Sequence, residues 1–371
     1  MQKKILFISN TALFSRFNLP FMRWFREQGW QVDYASAGEN EIPDCDNQYA
    51  IPIQRSPYSL KNIAAYRELK KILLQNNYDI IHCHTPMGGV LGRLAVKNIK
   101  TKTKVVYTAH GFHFYKGAPL INWLLYYPIE KFFAKYTDIL ITINEEDYDI
   151  AKKKLSSCKN IYKVDGVGVD LSRFCTHTSS EKAQLRHKLG YEERDFILIN
   201  VAEINKNKNQ IMLIRALPIL KKKIPNLKVL FLGEDYSLKT KPKLEKLVKK
   251  NQLENIVYFL GYRHDVDAVM AISDMAFSAS EREGLALNIV EAMACGVPIV
   301  CKRNRGHNSL IENEKSGLLF TNSKEMIDGI LKIYESKAFA DTLSKKAIED
   351  SKKYDRGLII KEMAKIYDLC K

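Results

Sequence analysis

Two successive sets of short apolar runs, each run separated from the next by a helical pattern, constrain this chain more than any single motif. In the first half, residues 4–9, 31–36, 80–83, 104–108 and 138–143 are rich in Ile, Val and Tyr and mostly near-continuous in apolar residues. A strand apolar on both faces is covered on both faces, as in a parallel sheet clad by helices. Between the runs, residues 59–75 carry Leu60, Ile63, Ala64, Leu69, Ile72 and Leu73 near i, i+3, i+4 spacing, and 88–97, 120–136 and 144–155 also read as helices. Strand–helix–strand repetition with right-handed crossovers predicts a doubly wound α/β layer.

The rhythm stops at residues 164–174, which hold Gly166 and Gly168, and at the polar stretch 175–180; together these read as an interdomain linker. It then resumes, with strands at 196–201, 228–232, 256–259, 275–277 and 298–300, helices at 210–223, 242–251 and 287–294, and a wholly helical tail from 323 to 370. The 371 residues suit two domains at roughly 150 residues each. Two such sheets facing each other make a central cleft, and ligands of open α/β sheets bind at the carboxyl ends of the strands. The chemistry is therefore sought in the loops that follow strands.

Composition closes off several classes. Apolar residues at 46% and charged residues at 27% are ordinary for a globular protein, which excludes wholesale disorder. No uncharged stretch reaches the roughly 18–20 residues of a bilayer span; the most suspicious long run, 117–129, lies between Lys116 and Glu130 and is too short. The apolar run after Lys3-Lys4 is too short for a signal peptide. Seven scattered cysteines without a C-x-x-C favour a reducing, cytoplasmic setting. The net charge of +16 asks for an anionic partner, whether nucleic acid, membrane surface or phosphorylated substrate, or else reflects solvated lysine-rich helix faces such as 221–223.

Neither G-x-G-x-x-G nor a Walker motif occurs, which disfavours a nicotinamide dehydrogenase and a P-loop NTPase. The most informative segment is 278–300, which reads strand, polar loop, helix, glycine turn, strand. Glu283 stands in the loop, where the positive end of a helix dipole and free N–H groups point outward, and Glu291 lies two turns along the helix. Two such carboxylates can clamp sugar or ribose hydroxyls, with backbone amides between them to seat phosphate. An isolated E-x7-E pair is more often just an acidic helix start and a solvated glutamate.

The context changes that balance. Glu283-Gly284…Glu291-Ala292-Met293-Ala294-Cys295-Gly296-Val297-Pro298 resembles the E-x7-E signature of retaining family 4 glycosyltransferases of the GT-B fold. The resemblance runs the length of the chain. Val106-Tyr107-Thr108-Ala109-His110-Gly111-Phe112-His113-Phe114 is similar to the family's strand-end histidine loop, and Gly166-Val167-Gly168-Val169-Asp170-Leu171-Ser172-Arg173-Phe174 to its hinge. Lys208-Asn209-Gln210 and Gly261-Tyr262-Arg263-His264-Asp265-Val266 resemble its phosphate-binding segment and its G-x-R-x-D-V loop. The flavour of 109–119 resembles bacterial enzymes of capsule and exopolysaccharide assembly.

The resemblance implies an α/β GT-B protein, with an acceptor-binding Rossmann-like domain over 1–168 and a nucleotide-sugar-binding one over 169–354. The last helix, about 355–371, would pack back on the first domain. It implies a hexosyl transfer with retention from a nucleotide sugar, a UDP-sugar first, to a lipid-linked (polyprenyl) or saccharide acceptor, without metal or other cofactor. Glu291 would hold the ribose and Glu283 the donor sugar. Gly284, Leu285 and Ala286 would offer backbone amides, and Lys208 would neutralise the diphosphate. His110 would approach the reacting sugar. The family's usual arginine five residues before that lysine is here Glu203, which cannot serve a pyrophosphate. Arg282, Arg263 and Arg305 are the candidates to supply the charge, Arg282 first because it abuts Glu283.

His82 and His84 alternate along one strand, so both face one way, but further ligands at metal-site spacing are lacking. Residues 14–26 interleave Phe14, Phe17, Phe21, Trp24 and Phe25 with Arg16, Arg23 and Arg26. Such a stretch is either a first helix with aromatics in the core or a dock for an anionic bilayer. The aromatic-rich 123–133 poses the same choice. A peripheral place on the inner face of the cell membrane fits these readings. The rivals are a sugar-nucleotide 2-epimerase on the same fold, a silent membrane-associated scaffold, and a basic nucleic-acid-binding protein, for which no helix-turn-helix, zinc-finger or RNP pattern speaks.

Overall fold

The computed structural model describes residues 2–99 and 101–370. The chain divides into two compact units, Met1–Gly168 with Arg356–Lys371, and Val169–Asp355.

In the first unit the strands are β1 (Lys4–Ile8), β2 (Gln31–Ser36), β3 (Asn47–Ala50), β4 (Ile80–His84), β5 (Lys104–Ala109), β6 (Ile139–Thr142) and β7 (Asn160–Lys163). The helices are α1 (Leu19–Glu27), α2 (Lys61–Gln75), α3 (Pro86–Ile99), α4 (Leu120–Ala134) and α5 (Glu145–Lys154). The seven strands run parallel in the order β3-β2-β1-β4-β5-β6-β7. The order reverses between β1 and β4, which is where a doubly wound sheet opens a crevice. Ile5, Leu6, Phe7 and Ile8 of β1 are all fully buried, because helices cover both faces of the sheet. α5 shows how local sequence supports these elements. Asn144 caps its start by accepting from the Asp147 amide, acids fill its first turn and lysines its last, each matched to the helix dipole.

The second unit comprises α6 (Ser179–Leu189), β8 (Phe196–Val201), α7 (Gln210–Lys223), β9 (Leu227–Leu232), α8 (Lys241–Lys250), β10 (Val257–Gly261), α9 (Val266–Ile272), β11 (Met275–Ser278), α10 (Leu287–Ala294), β12 (Ile299–Lys302), α11 (Arg305–Leu310), β13 (Leu318–Phe320), α12 (Ser323–Glu335) and α13 (Lys337–Ser351). Its six parallel strands take the order β10-β9-β8-β11-β12-β13, with the reversal between β8 and β11.

The last helix, α14 (Arg356–Asp368), belongs to the first unit. Ile359, Met363, Ile366 and Tyr367 join a core that holds Ile5, Phe7, Phe25 and Trp30, and the Tyr367 hydroxyl lies 2.7 Å from His82 Nδ1. Gly168 sits at φ +75° with Arg356 so close that a β-carbon would lie 2.5 Å from its Cα, so a side chain is doubly excluded there.

Several expectations need correction. The polar stretch from 175 is not all linker, because α6 begins at Ser179, capped by a Thr178–Glu181 capping box. The tail is helical as expected, in three helices separated at Ser336 and around Lys352–Tyr354. Residues 14–26 resolve mainly as core: Phe21, Met22 and Phe25 of α1 are buried, and Pro20 starts the helix after a 3-10 turn over Ala12–Phe17. Phe17 remains partly exposed.

Candidate active site

In the second unit three strand-end loops meet at the point of reversal. They follow β8, β11 and β12, neighbours in the sheet. The loop after β8 is locally shaped by Asn205, whose side chain accepts from the Lys208 amide, and by Asn209 in the left-handed region at φ +53°. It is then fastened to the loop after β11. Asn207 O accepts from the Glu281 amide at 2.8 Å, Asn207 Nδ2 donates to Arg282 O at 3.0 Å, and Asn209 Nδ2 donates to Glu281 Oε1 at 2.9 Å. From the third loop, Lys302 Nζ pairs with Glu281 at 2.5 Å and Asn304 Nδ2 donates to Ser280 O at 2.8 Å.

Inside this cluster Lys208 Nζ lies 2.5 Å from Glu283 Oε1, the two side chains being 22% and 13% exposed. The Glu283 backbone is held from the other side, where its carbonyl accepts from Arg305 Nε at 3.2 Å. Gly306 presses so closely that a β-carbon there would meet Glu283 Cβ at 2.6 Å. Gly284, Leu285 and Ala286 lead from Glu283 into α10. That helix has no side-chain cap and no acid in its first turn, the kind of helix start that suits an anion. Glu291 is half-buried in the middle of the same helix.

Glu203 follows β8, and its carboxylate makes no hydrogen bond or ion pair among the described residues. Gly233 grips the backbone beside it, since a β-carbon there would fall 2.0 Å from Ala202 O. Of the three arginines weighed as substitutes for the missing cation, Arg263 is taken up by Asp265 at 2.8 and 2.5 Å, after the edge strand β10. Arg282 points to solvent, with only its carbonyl tied into the cluster. Arg305 is the one whose guanidinium reaches Glu283's backbone.

Two further residues belong to this region and were not singled out from sequence. Arg173 bonds Asp267 at 2.5 Å and the His264 carbonyl; its bond to Asp267 and, further off, the charge of Glu291 raise its pKa. Its signal was its place in the hinge motif. His307 is fully buried, its Nδ1 2.6 Å from Lys302 O. The same Nδ1 lies 2.9 Å from Asn304 Nδ2, and Nε2 has no partner among the described residues. Burial lowers the pKa of this ring. Nothing in the sequence pattern marked it.

In the first unit His110 directly follows β5 and His84 ends β4. His84 Nδ1 lies 3.0 Å from His110 Nε2, Phe14 meets His110 edge-on at 4.8 Å, and Phe7 stacks on His84 at 6.1 Å. His82 bonds Thr108 Oγ1 at 2.8 Å through Nε2 and Tyr367 through Nδ1, so both its nitrogens are engaged. A void of about 10 Å³, room for at most one water, is lined by His84, Thr108, His110, Ile141 and Met363. Burial pushes His82 and His84 well below the usual imidazole range and His110 down to about 4. His110 is thus a neutral hydrogen-bonding group at neutral pH rather than an acid. Among the described residues no group of three or more His, Cys, Asp or Glu is placed to hold a metal ion, and no helix is long and apolar enough to cross a membrane.

The sequence model described as "Glycosyl transferases group 1" matches residues 181–350, and that described as "Glycosyl transferase 4-like" matches 4–144. A Bacillus subtilis (strain 168) protein named "Putative glycosyltransferase EpsD" is 42% identical over 371 residues, 99% of this chain and 97% of its own. The UDP-Gal:alpha-D-GlcNAc-diphosphoundecaprenol alpha-1,3-galactosyltransferase of Escherichia coli is 28% identical over 354 residues, covering 93% of this chain and 87% of that one. Among solved structures, Anabaena Alr3699/HepE in complex with UDP and glucose superposes with a TM-score of 0.80 at 20% identity, covering 99% of this chain and 100% of that one.

Proposed function

This chain belongs to the family 4 glycosyltransferases of the GT-B fold, and on that footing we propose that it transfers a hexosyl unit from a UDP-sugar to a lipid-linked glycan acceptor during assembly of a surface polysaccharide, with retention and without a metal ion. The observation that carries the reading is the Lys208–Glu283 pair, held in a ready-made cluster of three loops just before the uncapped start of α10.

The roles follow from chemistry. Lys208 is a compact cation that gains most as charge builds on the departing diphosphate. With the diphosphate bound, the ammonium is shared between it and Glu283, whose carboxylate accepts from the sugar hydroxyls. The amides of Gly284, Leu285 and Ala286 and the dipole of α10 add positive potential, and Arg305, bonded to the Glu283 carbonyl, is a further cation. Glu291 accepts both ribose hydroxyls. These groups take over the neutralising task of a divalent cation. His110, neutral, donates one hydrogen bond at the donor sugar. No side chain of the cluster stands out as a covalent nucleophile, so attack from the face of the leaving phosphate is the step consistent with retention.

UDP as the nucleotide and a lipid diphosphate as the acceptor are supported by the name of the Escherichia coli relative and, for UDP, by the HepE complex. The test is thermal unfolding of the full chain with UDP- and GDP-sugars. A ligand at a hundred times its Kd adds about 2.7 kcal/mol, and the expected result is stabilisation by one or more UDP-sugars that persists in EDTA. If no sugar nucleotide shifts the transition, the reading fails. Retention is then read from the anomeric coupling of the product by NMR.

A further inference from the structure

One face of α4 is apolar and uncovered. Its inner face is defined by Trp123, Tyr126, Tyr127, Glu130, Phe133 and Ala134, at the spacing of a helix that packs on one side. Phe133 and Ala134 are buried, and the three larger aromatics lean on the core of the first unit. Glu130 accepts from Arg93 Nη1 at 2.9 Å and from the Tyr107 hydroxyl at 3.1 Å, a buried network that fixes the rotation of the helix. The opposite face then has to present Leu120, Ile121, Leu124, Leu125, Ile129 and Phe132, and all of them are exposed, Leu120 to 74% and Leu124 to 64%. A helix of 15 residues is about 22 Å long, so the stripe runs nearly its whole length. Single exposed leucines are ordinary on a protein surface; a continuous stripe is not.

The charge around the stripe is mostly positive, with Glu146 beside Lys116 as an exception. The one carboxylate of α4, Glu130, is buried in its pair with Arg93. Lys97 and Lys135 stand over the rings of Phe132 and Tyr136 at 4.7 to 5.4 Å. Lys131 and Lys154 border Tyr127 at 5.8 and 6.0 Å. Lys116 is exposed just before the helix.

We propose that this face of α4 docks on an anionic lipid bilayer, with the stripe among the outermost acyl groups and the lysines at the level of the phosphates. The proposal deepens the reading of a lipid-linked acceptor and rests on that reading for its purpose. A second copy of the chain fits the surface poorly, because a two-fold contact would bring the lysine border against itself. The helix lies on the bilayer rather than across it: it falls short of the roughly 20 residues a span requires. Pro128, within it, also leaves the Leu124 carbonyl without its helical donor, a group that needs the water of the headgroup layer.

The experiment is co-sedimentation of the full chain with phosphatidylcholine vesicles, with and without phosphatidylglycerol. Binding is expected to require phosphatidylglycerol and to weaken as salt is raised. Leu120→Gln with Leu124→Gln is expected to lower the partition coefficient at least about tenfold, from the apolar area that no longer leaves water. Lys131→Glu with Lys135→Glu is expected to lower it by more than about tenfold on phosphatidylglycerol. All four side chains are exposed, so the melting temperature and its shift with UDP-sugar should match the wild type. Retention in the supernatant at every phosphatidylglycerol content overturns the proposal, as does undiminished binding of the leucine variant. So does a dimer in sedimentation velocity that the leucine variant splits, which would assign the face to a second copy. Vesicle binding without any response to sugar nucleotides would instead sink the enzymatic reading and leave this one standing.

Discussion

Lys208 and Glu283 meet at 2.5 Å although they lie far apart in sequence, because β8 and β11 are neighbours and each supplies one strand-end loop. The pair holds the ammonium against Glu283, three residues before the N-cap of α10. Lys208→Ala is expected to lower kcat by about a hundredfold, the loss usual when one preorganised group is removed from a developing anion. The fold should persist, since the pair is partly solvated. The control is Lys208→Met with Glu283→Gln, which leaves no unpaired charge. Circular dichroism and melting should match the wild type while turnover stays lost. Turnover of Lys208→Ala within about twofold of wild type would remove this lysine from the chemistry.

Gly306 sets the position of Glu283 by contact rather than by charge. A methyl group there overlaps Glu283 Cβ at 2.6 Å and its carbonyl oxygen at 3.0 Å, both on a loop pinned by several hydrogen bonds. Gly306→Ala should therefore cost at least about tenfold in kcat/KM, the scale expected when a reacting group is displaced by about an ångström. Gly329, in the middle of α12, is the matched comparison, because its added methyl meets Leu318 and Val300 side-chain atoms no closer than 3.4 Å. There alanine gains helix propensity, and Gly329→Ala should raise the melting temperature by a degree or more without touching activity. Equal kinetics in the two variants would show that Glu283 need not be held where it is.

What the sequence revealed, and what it hid, follows the range of the interactions. β2, β8, α7 and α10 were legible to the residue because their patterns are local: near-continuous apolar strands, and helices with an apolar stripe. The edge strands β3 and β7 were not, since Asn47–Ala50 and Asn160–Lys163 are short and half-exposed and lack the apolar run. α6 buries only Arg186 and so has no stripe to read, although Thr178 and Glu181 spelled out its start. In the site, Lys208, Glu283 and Glu291 stand in motifs and could be named. Their pairing could not, nor could the approach of Arg305 or the burial of His307, because strand order and loop packing decide those.

His84 is expected to act on the sugar only through His110. Its Nδ1 is the polar neighbour of His110 Nε2 at 3.0 Å, and its own Nε2 is buried without a partner among the described residues. An unpaired lone pair is tolerated more readily than an unpaired N–H, so the proton belongs on His84 Nδ1, and His110 keeps its own on Nδ1. His84→Asn preserves a short donor near the Nδ1 position and should retain most of kcat. His84→Leu should lose at least about tenfold in kcat with little change in the donor KM. Nitrogen-15 shifts of His110 would report the Nδ1–H tautomer in the wild type and in His84→Asn, and a mixture in His84→Leu. If asparagine and leucine behave alike in both readouts, His84 is a packing residue.

The same three imidazoles make stability depend on pH in a stated direction. His82, His84 and His110 are held neutral by burial, with folded pKa values below the unfolded value of 6.5, His110 at about 4. Above pH 6.5 neither state takes up a proton, and the stability is complete. As the pH falls below 6.5 the unfolded chain binds protons that the folded chain refuses. Each such histidine then removes about 1.4 kcal/mol per pH unit until its folded pKa is reached. Urea midpoints of the first unit, followed through Trp24 and Trp30 fluorescence, should be level from pH 8 to 7 and drop steeply between pH 6 and 5, before most carboxylates titrate. Replacing His82 by phenylalanine costs its bonds to Thr108 and Tyr367, yet it should flatten the slope by about one histidine's share. A midpoint unchanged between pH 7 and 5 would mean that these rings reach solvent and that His110 is free to protonate during turnover.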